Sequence, residues 1–237
     1  MSILRPITFI PGWGFQASIA KNIFFPCKRL INLPSLETSP TTIDTLCDAI
    51  EKEMQPSETI LIGWSLGGLI SINLYARHPE RYKSLILITS TPCFWAQSNW
   101  LGISKEHQTI FTNALNQEYP IFLAYYLTLL SKPFRFSKFN PYLQSHMIPK
   151  EAFNGCKSYK DILFKADLRL AYSKIQIPTL VIQGEKDAII PSGLNQYLVK
   201  LNPSPEYHTI HNAGHLPFMT HQKETNKIVT DFLKKIS

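Results

Sequence analysis

The sequence predicts an α/β fold, in which about six mostly parallel strands form a sheet with helices on both faces. Two observations support this prediction. Short apolar runs rich in β-branched residues recur along the chain between prolines or glycines, and most are separated by stretches with helical spacing. Runs that are apolar on both faces of a strand are typical of a parallel sheet covered by helices.

Six runs are predicted to be strands. The clearest is TILIGW at 59–64, which is almost continuously apolar and leads into a glycine-rich turn. The weakest is EYHTIHNAG at 206–214, where polar residues interrupt the pattern. In chain order the predicted strands cover residues 6–12, 29–34, 59–64, 84–90, 179–184 and 206–214.

Helical spacing predicts four helices between and after these strands. Residues 42–54 place four apolar side chains on one face, and Thr41 or Thr42 is suited to be the N-cap. A second helix over 66–77 ends before the His-Pro pair at 78–79. The other two are predicted over residues 191–201 and 221–235.

Residues 94–170 break the alternation of strands and helices. This segment is rich in aromatic residues, has helical periodicity in stretches such as IFLAYYLTLL, and carries much of the positive charge. We predict that it is a helical insertion, a lid over the carboxyl edge of the sheet. The core of the fold then consists of residues 1–93 and 171–237.

Composition narrows the class of protein. With 237 residues, 44% of them hydrophobic and 17% charged, the chain can build a large core and carries no sign of disorder. The net charge of +7 comes from scattered residues, which disfavours a nucleic-acid interface but leaves an acidic partner or an anionic substrate open. No apolar stretch has the length of a signal segment or a membrane span, so we expect a cytoplasmic monomer that binds no membrane.

The cysteines give no metal or disulfide pattern. They are widely spaced, without a CxxC pair or a histidine at metal-ligand spacing. We therefore expect buried free thiols, no metal and no organic cofactor. The four are Cys27, Cys47, Cys93 and Cys156.

The pentapeptide Gly63-Trp64-Ser65-Leu66-Gly67 fits the pattern G-x-S-x-G between a predicted strand and a predicted helix. In that context the serine lies on a sharp turn and is exposed as a nucleophile, and the flanking glycines relieve crowding. The alternative is an ordinary glycine-rich turn or a phosphate-binding loop. It is disfavoured because the chain has no GxGxxG motif and no Walker lysine.

A serine nucleophile needs a base and an acid, and both are found after later strands. His215 follows the last predicted strand and Asp187 follows the strand before it, which is the order expected for this motif. His211 is the main competitor for the base, and Glu185 is the competitor for the acid. Asp187 is preferred because it is shorter and lies further into its loop.

Two backbone N–H groups are candidates for an oxyanion hole. The N–H of Leu66 opens the helix after the nucleophile, and the N–H of Trp13 lies in the glycine-flanked loop after the first strand. The alternative for Trp13 is simple packing under the lid, and the two roles are compatible.

These motifs together resemble a known family. The segments PGWG at 11–14, GWSLGGL at 63–69, HPER at 78–81, STPCF at 90–94 and AGHLPF at 213–218 are similar to α/β-hydrolases. More narrowly, they and FKADLR at 164–169 resemble the BioH-type pimeloyl-[acyl-carrier protein] methyl ester esterases of biotin synthesis. The chain departs from many relatives in having Pro11-Gly12 where they have His-Gly, and its short N-terminus implies a sheet of about six strands.

The resemblance implies a serine carboxylesterase without a cofactor. Ser65 would be the nucleophile, Asp187 the acid and His215 the base, with Trp13 and Leu66 as oxyanion donors. It also implies that the acyl chain passes a lid helix at Tyr126, Leu127, Thr128, Leu129 and Leu130. It further implies that an acidic acyl carrier protein binds basic residues of the lid. The alternative is that these residues form only a solvated basic face. They are Lys132, Arg135, Lys138, Lys150, Lys157 and Lys160.

Two other functions remain open from the sequence. The same chemistry suits a general short-acyl carboxylesterase, a thioesterase, a lactonase or a carbon–carbon bond hydrolase. A protein of this fold can also bind a ligand or partner without catalysis, although such proteins usually lack a member of the triad.

Overall fold

The computed structural model describes residues 6–22, 27–34, 42–54, 59–135 and 140–236. Within these residues the chain forms one sheet of six parallel strands in the order β2-β1-β3-β4-β5-β6. This confirms the predicted α/β class and the trimmed sheet. The strands are β1 (Ile7–Ile10), β2 (Cys27–Leu30), β3 (Thr59–Trp64), β4 (Tyr82–Ile88), β5 (Thr179–Gly184) and β6 (Glu206–Ile210).

Several strand boundaries differ from the prediction, for physical reasons. β2 spans 27–30 instead of 29–34, because its pairing with β1 runs from Cys27 opposite Ile7 to Leu30 opposite Phe9. β4 ends at Ile88, because Thr89 has a φ of 41°, which a strand cannot continue. β6 ends at Ile210, since a turn with Asn212 at a φ of 57° follows it.

The predicted core helices are present with small shifts at their ends. The N-cap of the first is Thr42, whose hydroxyl accepts a hydrogen bond from the N–H of Thr45 at 3.1 Å, while Thr41 lies outside the described residues. These helices are α1 (Ile43–Glu53), α2 (Leu66–Arg77), α9 (Leu194–Leu201) and α11 (Gln222–Lys235), with the short α10 (Pro217–Thr220) before the last.

The segment between β4 and β5 begins with a non-helical stretch over residues 89–104, with bridges between Trp95 and Ile103 and between Gln97 and Trp100, and its described remainder is mostly helical. Its aromatic side chains join the same buried cluster as the sheet, so this segment and the sheet share one hydrophobic core. α8 contacts α2 and α9, which is where the chain rejoins the sheet layer. The helices are α3 (Lys105–Leu115), α4 (Tyr119–Ser131), α5 (Asn140–Ser145), α6 (Phe153–Lys157), α7 (Tyr159–Lys165) and α8 (Arg169–Ser173).

The strand order reverses at β1, which lies between β2 and β3. In open parallel sheets a crevice forms at such a point, beyond the carboxyl ends of the strands. The loop after β1 carries Trp13 and the turn after β3 carries Ser65, so both residues lie beside this crevice. None of the helices in the described ranges has the length and apolar character needed to cross a bilayer.

Candidate active site

Ser65 occupies the turn between β3 and α2 in a strained conformation. Its φ of 54° and ψ of −118° are rare for a residue with a side chain. Although Ser65 is the N-cap residue of α2, its hydroxyl makes no capping hydrogen bond. The hydroxyl therefore does not cap the start of the helix, as the hydroxyl of an ordinary N-cap serine would.

The glycines of the pentapeptide allow backbone segments to approach closely. A Cβ atom on Gly67 would lie 2.1 Å from the carbonyl oxygen of Ile10, and one on Gly63 would lie 2.4 Å from the carbonyl oxygen of Gly67. Both distances are far below van der Waals contact. Glycine at these positions thus brings the start of α2 against the loop after β1, which is the loop that carries Trp13.

The backbone of Ser65 is fixed from the neighbouring strands. Its N–H donates to the carbonyl of Ile88 at 3.0 Å, and its own carbonyl accepts from the hydroxyl of Ser90 at 2.7 Å. The carbonyl of Ser90 in turn accepts from the side-chain amide of Gln183 at 2.6 Å. Residues at the carboxyl ends of β4 and β5 and just after β4 therefore hold the turn together at this edge of the sheet.

His215 and Asp187 form a buried pair. The Nδ1 atom of His215 lies 2.7 Å from Oδ2 of Asp187, and both side chains are only 1% exposed. The other carboxylate oxygen of Asp187 accepts from the N–H groups of Ile189 and Ile190 at 2.7 and 3.0 Å. The carboxylate is thus fixed by three donors, and the His215 ring keeps Nε2 as its remaining nitrogen.

The two competitors pair with each other at the surface. Nδ1 of His211 lies 2.8 Å from Oε2 of Glu185, and their side chains are 77% and 40% exposed. The N–H of Asn212 and the His211 side chain both bond the Glu185 carboxylate and lower its pKa. The structure therefore separates a buried His215–Asp187 pair from a solvated His211–Glu185 pair.

Two side chains hold the backbone carbonyl of His215. The indole N–H of Trp64 and the hydroxyl of Thr89 both donate to it, each at 3.0 Å. The Trp64 ring also lies beside the His215 ring, with centroids 5.9 Å apart. Trp64, the residue just before Ser65, thereby links the turn that carries the serine to the loop that carries the histidine.

Trp13 is fixed among aromatic side chains of the segment between β4 and β5. Its indole N–H donates to the carbonyl of Cys156 at 3.0 Å, and its own carbonyl accepts from the hydroxyl of Tyr126 at 2.8 Å. Burial raises the pKa of Tyr126 well above its usual value, so this hydroxyl remains a donor. Four rings pack edge-on against Trp13: Phe111, Phe122, Tyr126 and Phe153.

The two predicted oxyanion donors are both without a protein partner. Within the described ranges, neither the N–H of Trp13 nor that of Leu66 donates a hydrogen bond to another protein group. Leu66 is the first residue of α2, where an N–H has no partner within the helix. Free N–H groups on either side of a serine hydroxyl could bind a developing oxyanion.

The residue that follows the C-terminal end of helix α4 contacts the loop that carries His215. A Cβ atom on Gly214 would lie 1.8 Å from the carbonyl oxygen of Lys132, which follows α4. Only glycine leaves room for that carbonyl. Helix α4 is therefore held against the Trp13 loop through Tyr126 and against the His215 loop through Lys132.

A cavity of about 300 Å³ opens beside Ser65. Of the predicted acyl-path residues, Tyr126 and Leu129 line it, and the structure adds Tyr125. Leu127 and Leu130 do not line it but are buried in the core, and Thr128 is exposed. The full wall consists of Trp13, Ser65, Phe94, Gly102, Ile103, Ser104, His107, Phe111, Tyr125, Tyr126, Leu129, Leu163, Phe164, Asp187, Ala188, Ile189 and Pro191.

Several wall residues were not predicted from the sequence. Ser104, His107 and Phe111 belong to the start and the inner face of α3, and Leu163 and Phe164 belong to α7. The abundance of aromatic residues in 94–170 was the only signal for an apolar wall in this segment, and it did not single out individual positions.

The described cysteines are buried free thiols, as predicted, whereas the Cys27 side chain lies outside the described residues. Burial raises the pKa of Cys93 to about 11 and that of Cys156 to about 12, so neither thiol is an activated nucleophile. Within the part of the chain that the structure describes, no group of three His, Cys, Asp or Glu side chains could hold a metal ion.

Comparison with known proteins places this geometry in a family. A model of the α/β-hydrolase fold matches residues 37–222. A pimeloyl-[acyl-carrier protein] methyl ester esterase from Wigglesworthia glossinidia brevipalpis is 30% identical, with 98% of this chain and 94% of the relative covered. Another protein of that name, from Yersinia enterocolitica, is 27% identical over 97% of this chain and 93% of its own.

Solved structures agree on the fold. A hydrolase from Oleispira antarctica superposes with a TM-score of 0.80 at 14% identity, covering 97% of this chain and 91% of its own. An esterase from Exiguobacterium antarcticum superposes with a TM-score of 0.77 at 17% identity, covering 97% of this chain and 92% of its own. From the match over most of its length and the similarity to full-length relatives, the chain belongs to the α/β-hydrolase family.

Proposed function

We propose that this protein is a serine carboxylesterase that hydrolyses the methyl ester of pimeloyl-[acyl-carrier protein]. The observation that supports the chemistry most directly is the buried His215–Asp187 pair, together with a strained Ser65 that shares a cavity wall with Asp187. The names of the relatives that align over nearly the full chain support the substrate.

In the proposed reaction Ser65 attacks the ester carbonyl carbon while Nε2 of His215 takes the hydroxyl proton. Asp187 holds Nδ1 of the ring and stabilises the imidazolium that forms. The tetrahedral intermediate expels the methoxy group, which receives the proton from His215 and leaves as methanol. Water then attacks the acyl-enzyme by the same route and releases a carboxylic acid and free Ser65.

The N–H groups of Trp13 and Leu66 are the proposed donors to the oxyanion. Their value in catalysis comes from being fixed before the reaction, because donors that need no reorganisation stabilise the transition state most. The aromatic packing around Trp13 and the approach of Gly67 to Ile10 support such fixation. Loss of a single oxyanion donor typically lowers kcat by about 10²- to 10³-fold.

The cavity suits an acyl chain, since most of its wall is aromatic or aliphatic. We propose that residues 94–170 act as a lid over this cavity and that a monomer docks the acidic carrier protein on its basic side chains. Lys132, Arg135 and Lys150 are exposed, and Lys157 and Lys160 are partly exposed. The side chain of Lys138, also predicted to contribute, lies outside the described residues.

The proposal is tested by comparing kcat/KM for pimeloyl-[acyl-carrier protein] methyl ester and for a short p-nitrophenyl ester. We expect a marked preference for the carrier-bound ester, because the cavity binds the acyl chain and the basic surface speeds encounter with the carrier.

We also expect the gene, but not its Ser65→Ala version, to restore growth without biotin to a strain lacking this esterase. Turnover of the short ester alone would instead indicate a general short-acyl esterase, and no turnover of any ester would contradict an enzymatic role.

A second prediction concerns Trp64. Trp64→Phe keeps an aromatic ring but removes the N–H that donates to the His215 carbonyl, so among the described residues this carbonyl keeps the Thr89 hydroxyl as its donor. We expect kcat to fall by about 3- to 10-fold, the worth of one such hydrogen bond, with KM nearly unchanged.

Trp100→Phe is the matched control. The Trp100 indole N–H also donates to a buried backbone carbonyl, that of Cys93 at 2.8 Å, but Trp100 does not contact His215. Both variants should lower the melting temperature, and only Trp64→Phe should lower kcat. Equal kcat values for the two variants would contradict a positioning role for Trp64.

A further inference from the structure

The cavity wall carries a second set of polar side chains, away from the sheet loops. Ser104 and His107 both line the cavity and belong to the first turn of α3, where Ser104 is the N-cap. Oγ of Ser104 lies 2.8 Å from Nδ1 of His107 and also accepts from the His107 backbone N–H at 3.2 Å. The proposed ester hydrolysis does not use this pair.

The contacts of Ser104 determine what His107 offers a ligand. Since Oγ already accepts the backbone N–H, its own proton is free to donate to Nδ1 of His107. The neutral ring then carries its proton on Nε2. His107 makes no other side-chain hydrogen bond to the described residues, so its Nε2–H is a free donor at the cavity wall.

The rest of the wall indicates what kind of ligand group would accept this bond. Near α3 the cavity is lined by Phe111, Leu129, Leu163 and Phe164, which offer an acyl chain contact but no hydrogen bond. His107 itself is exposed, so it lies where the cavity meets solvent, and a carbonyl group held there against these apolar side chains loses part of its hydration and gains from a donor. The pimeloyl group named in the relatives has a carbonyl at each end, one in the methyl ester and one in the thioester to the carrier.

We infer that His107, held by Ser104, donates a hydrogen bond from Nε2 to the second carbonyl of the acyl substrate while Ser65 attacks the first. The inference rests on the proposed function and deepens it. His107 is then a specificity residue that favours acyl esters with a remote carbonyl over plain alkanoate esters of the same length. It contacts the substrate away from the reacting bond, so it affects binding more than chemistry.

Two methyl esters without a carrier protein test this directly. Dimethyl pimelate has the second carbonyl, and methyl heptanoate has the same acyl length without it. We expect the wild-type protein to prefer the diester in kcat/KM after division by two for its two equivalent ester groups. In His107→Leu this preference should fall by about 3- to 10-fold, through a higher KM for the diester at nearly constant kcat.

Three variants sharpen the test. His107→Gln keeps an N–H donor and should retain most of the preference. His146→Leu makes the same exchange at a histidine of the same segment that does not line the cavity, and should leave the preference unchanged. Tyr125→Phe removes the hydroxyl of another wall residue and tests whether that hydroxyl is the donor instead.

The outcomes separate this inference from the proposed function. If the wild-type protein hydrolyses both esters and His107→Leu has the same preference, the inference is wrong and the esterase proposal stands. Loss of the preference in Tyr125→Phe instead of His107→Leu would overturn it as well, in favour of Tyr125. If the wild-type protein hydrolyses neither of these esters but does hydrolyse the carrier-bound ester, the inference is wrong and the proposed function stands. If it hydrolyses none of the three, both fail.

Discussion

Ser65→Ala is expected to lower kcat for ester hydrolysis by about 10⁵- to 10⁶-fold, to the level left by binding and oxyanion stabilisation alone. The reason is that Ser65 is the wall serine that adjoins the N–H of Leu66 and the loop of Trp13, whereas Ser104 lies at the start of α3 and burial raises the pKa of the Cys93 thiol to about 11. Steady-state assays on the purified variant measure the loss. Substrate binding should be retained, because the deleted hydroxyl is the reacting group and the cavity wall is otherwise unchanged.

A double variant makes this prediction more specific. If Ser65 and His215 act as one unit, Ser65→Ala/His215→Ala should be no slower than Ser65→Ala. The control is Ser71→Ala, which removes a buried serine hydroxyl from α2. That hydroxyl donates to the Gly67 carbonyl at 2.7 Å. It should cost about 1 kcal/mol of stability but leave kcat within a few-fold. Residual activity of Ser65→Ala above a hundredth of wild type would contradict the assignment of Ser65 as nucleophile.

Asp187→Asn is expected to lower kcat by about 10⁴-fold while the protein stays folded. The amide can still accept from the N–H groups of Ile189 and Ile190 through its oxygen. Its NH₂ group then faces Nδ1 of His215, which forces the proton of the neutral ring onto Nε2. In that tautomer the ring cannot take the proton of Ser65. Circular dichroism and the melting temperature check the fold, and steady-state kinetics check the rate.

Glu185→Gln is the matched control for this variant. It makes the same chemical exchange two residues earlier, in the solvated pair with His211, and its remaining oxygen can still accept from the N–H of Asn212. Its kcat should stay within about threefold of wild type, since exposed pairs contribute little. If Glu185→Gln were the slower of the two variants, the acid would have been assigned to the wrong carboxylate.

The sheet and the candidate triad could be predicted from the sequence because their signals are local. The G-x-S-x-G turn, the carboxylate after β5 and the histidine after β6 are each marked by an adjacent apolar run. The bounds of β2 could not be predicted, because they depend on which residues pair with β1, a partner from another part of the chain. His215 was preferred over His211 from its place in the loop after β6, and the structure adds that His215 is buried with Asp187 while His211 is exposed with Glu185.

The cavity wall was harder to predict. Helix α4 reads YPIFLAYYLTLLS and is apolar almost all round, so its periodicity gives no hint of which side faces the cavity. The family resemblance implied five consecutive residues for the acyl path, whereas Tyr126 and Leu129 line the cavity along with Tyr125. The Ser104–His107 pair was not predicted as part of this wall because α3 has polar residues on much of its surface.

Helix α4 is attached at two points to loops of the candidate active site. Tyr126 ties this helix to the loop of one oxyanion donor, and the carbonyl of Lys132 rests on Gly214 next to His215. Any displacement of α4 would therefore disturb both the oxyanion donor and the base. This helix therefore serves as a fixed wall of the cavity, and a substrate attached to a whole protein must reach Ser65 without displacing it.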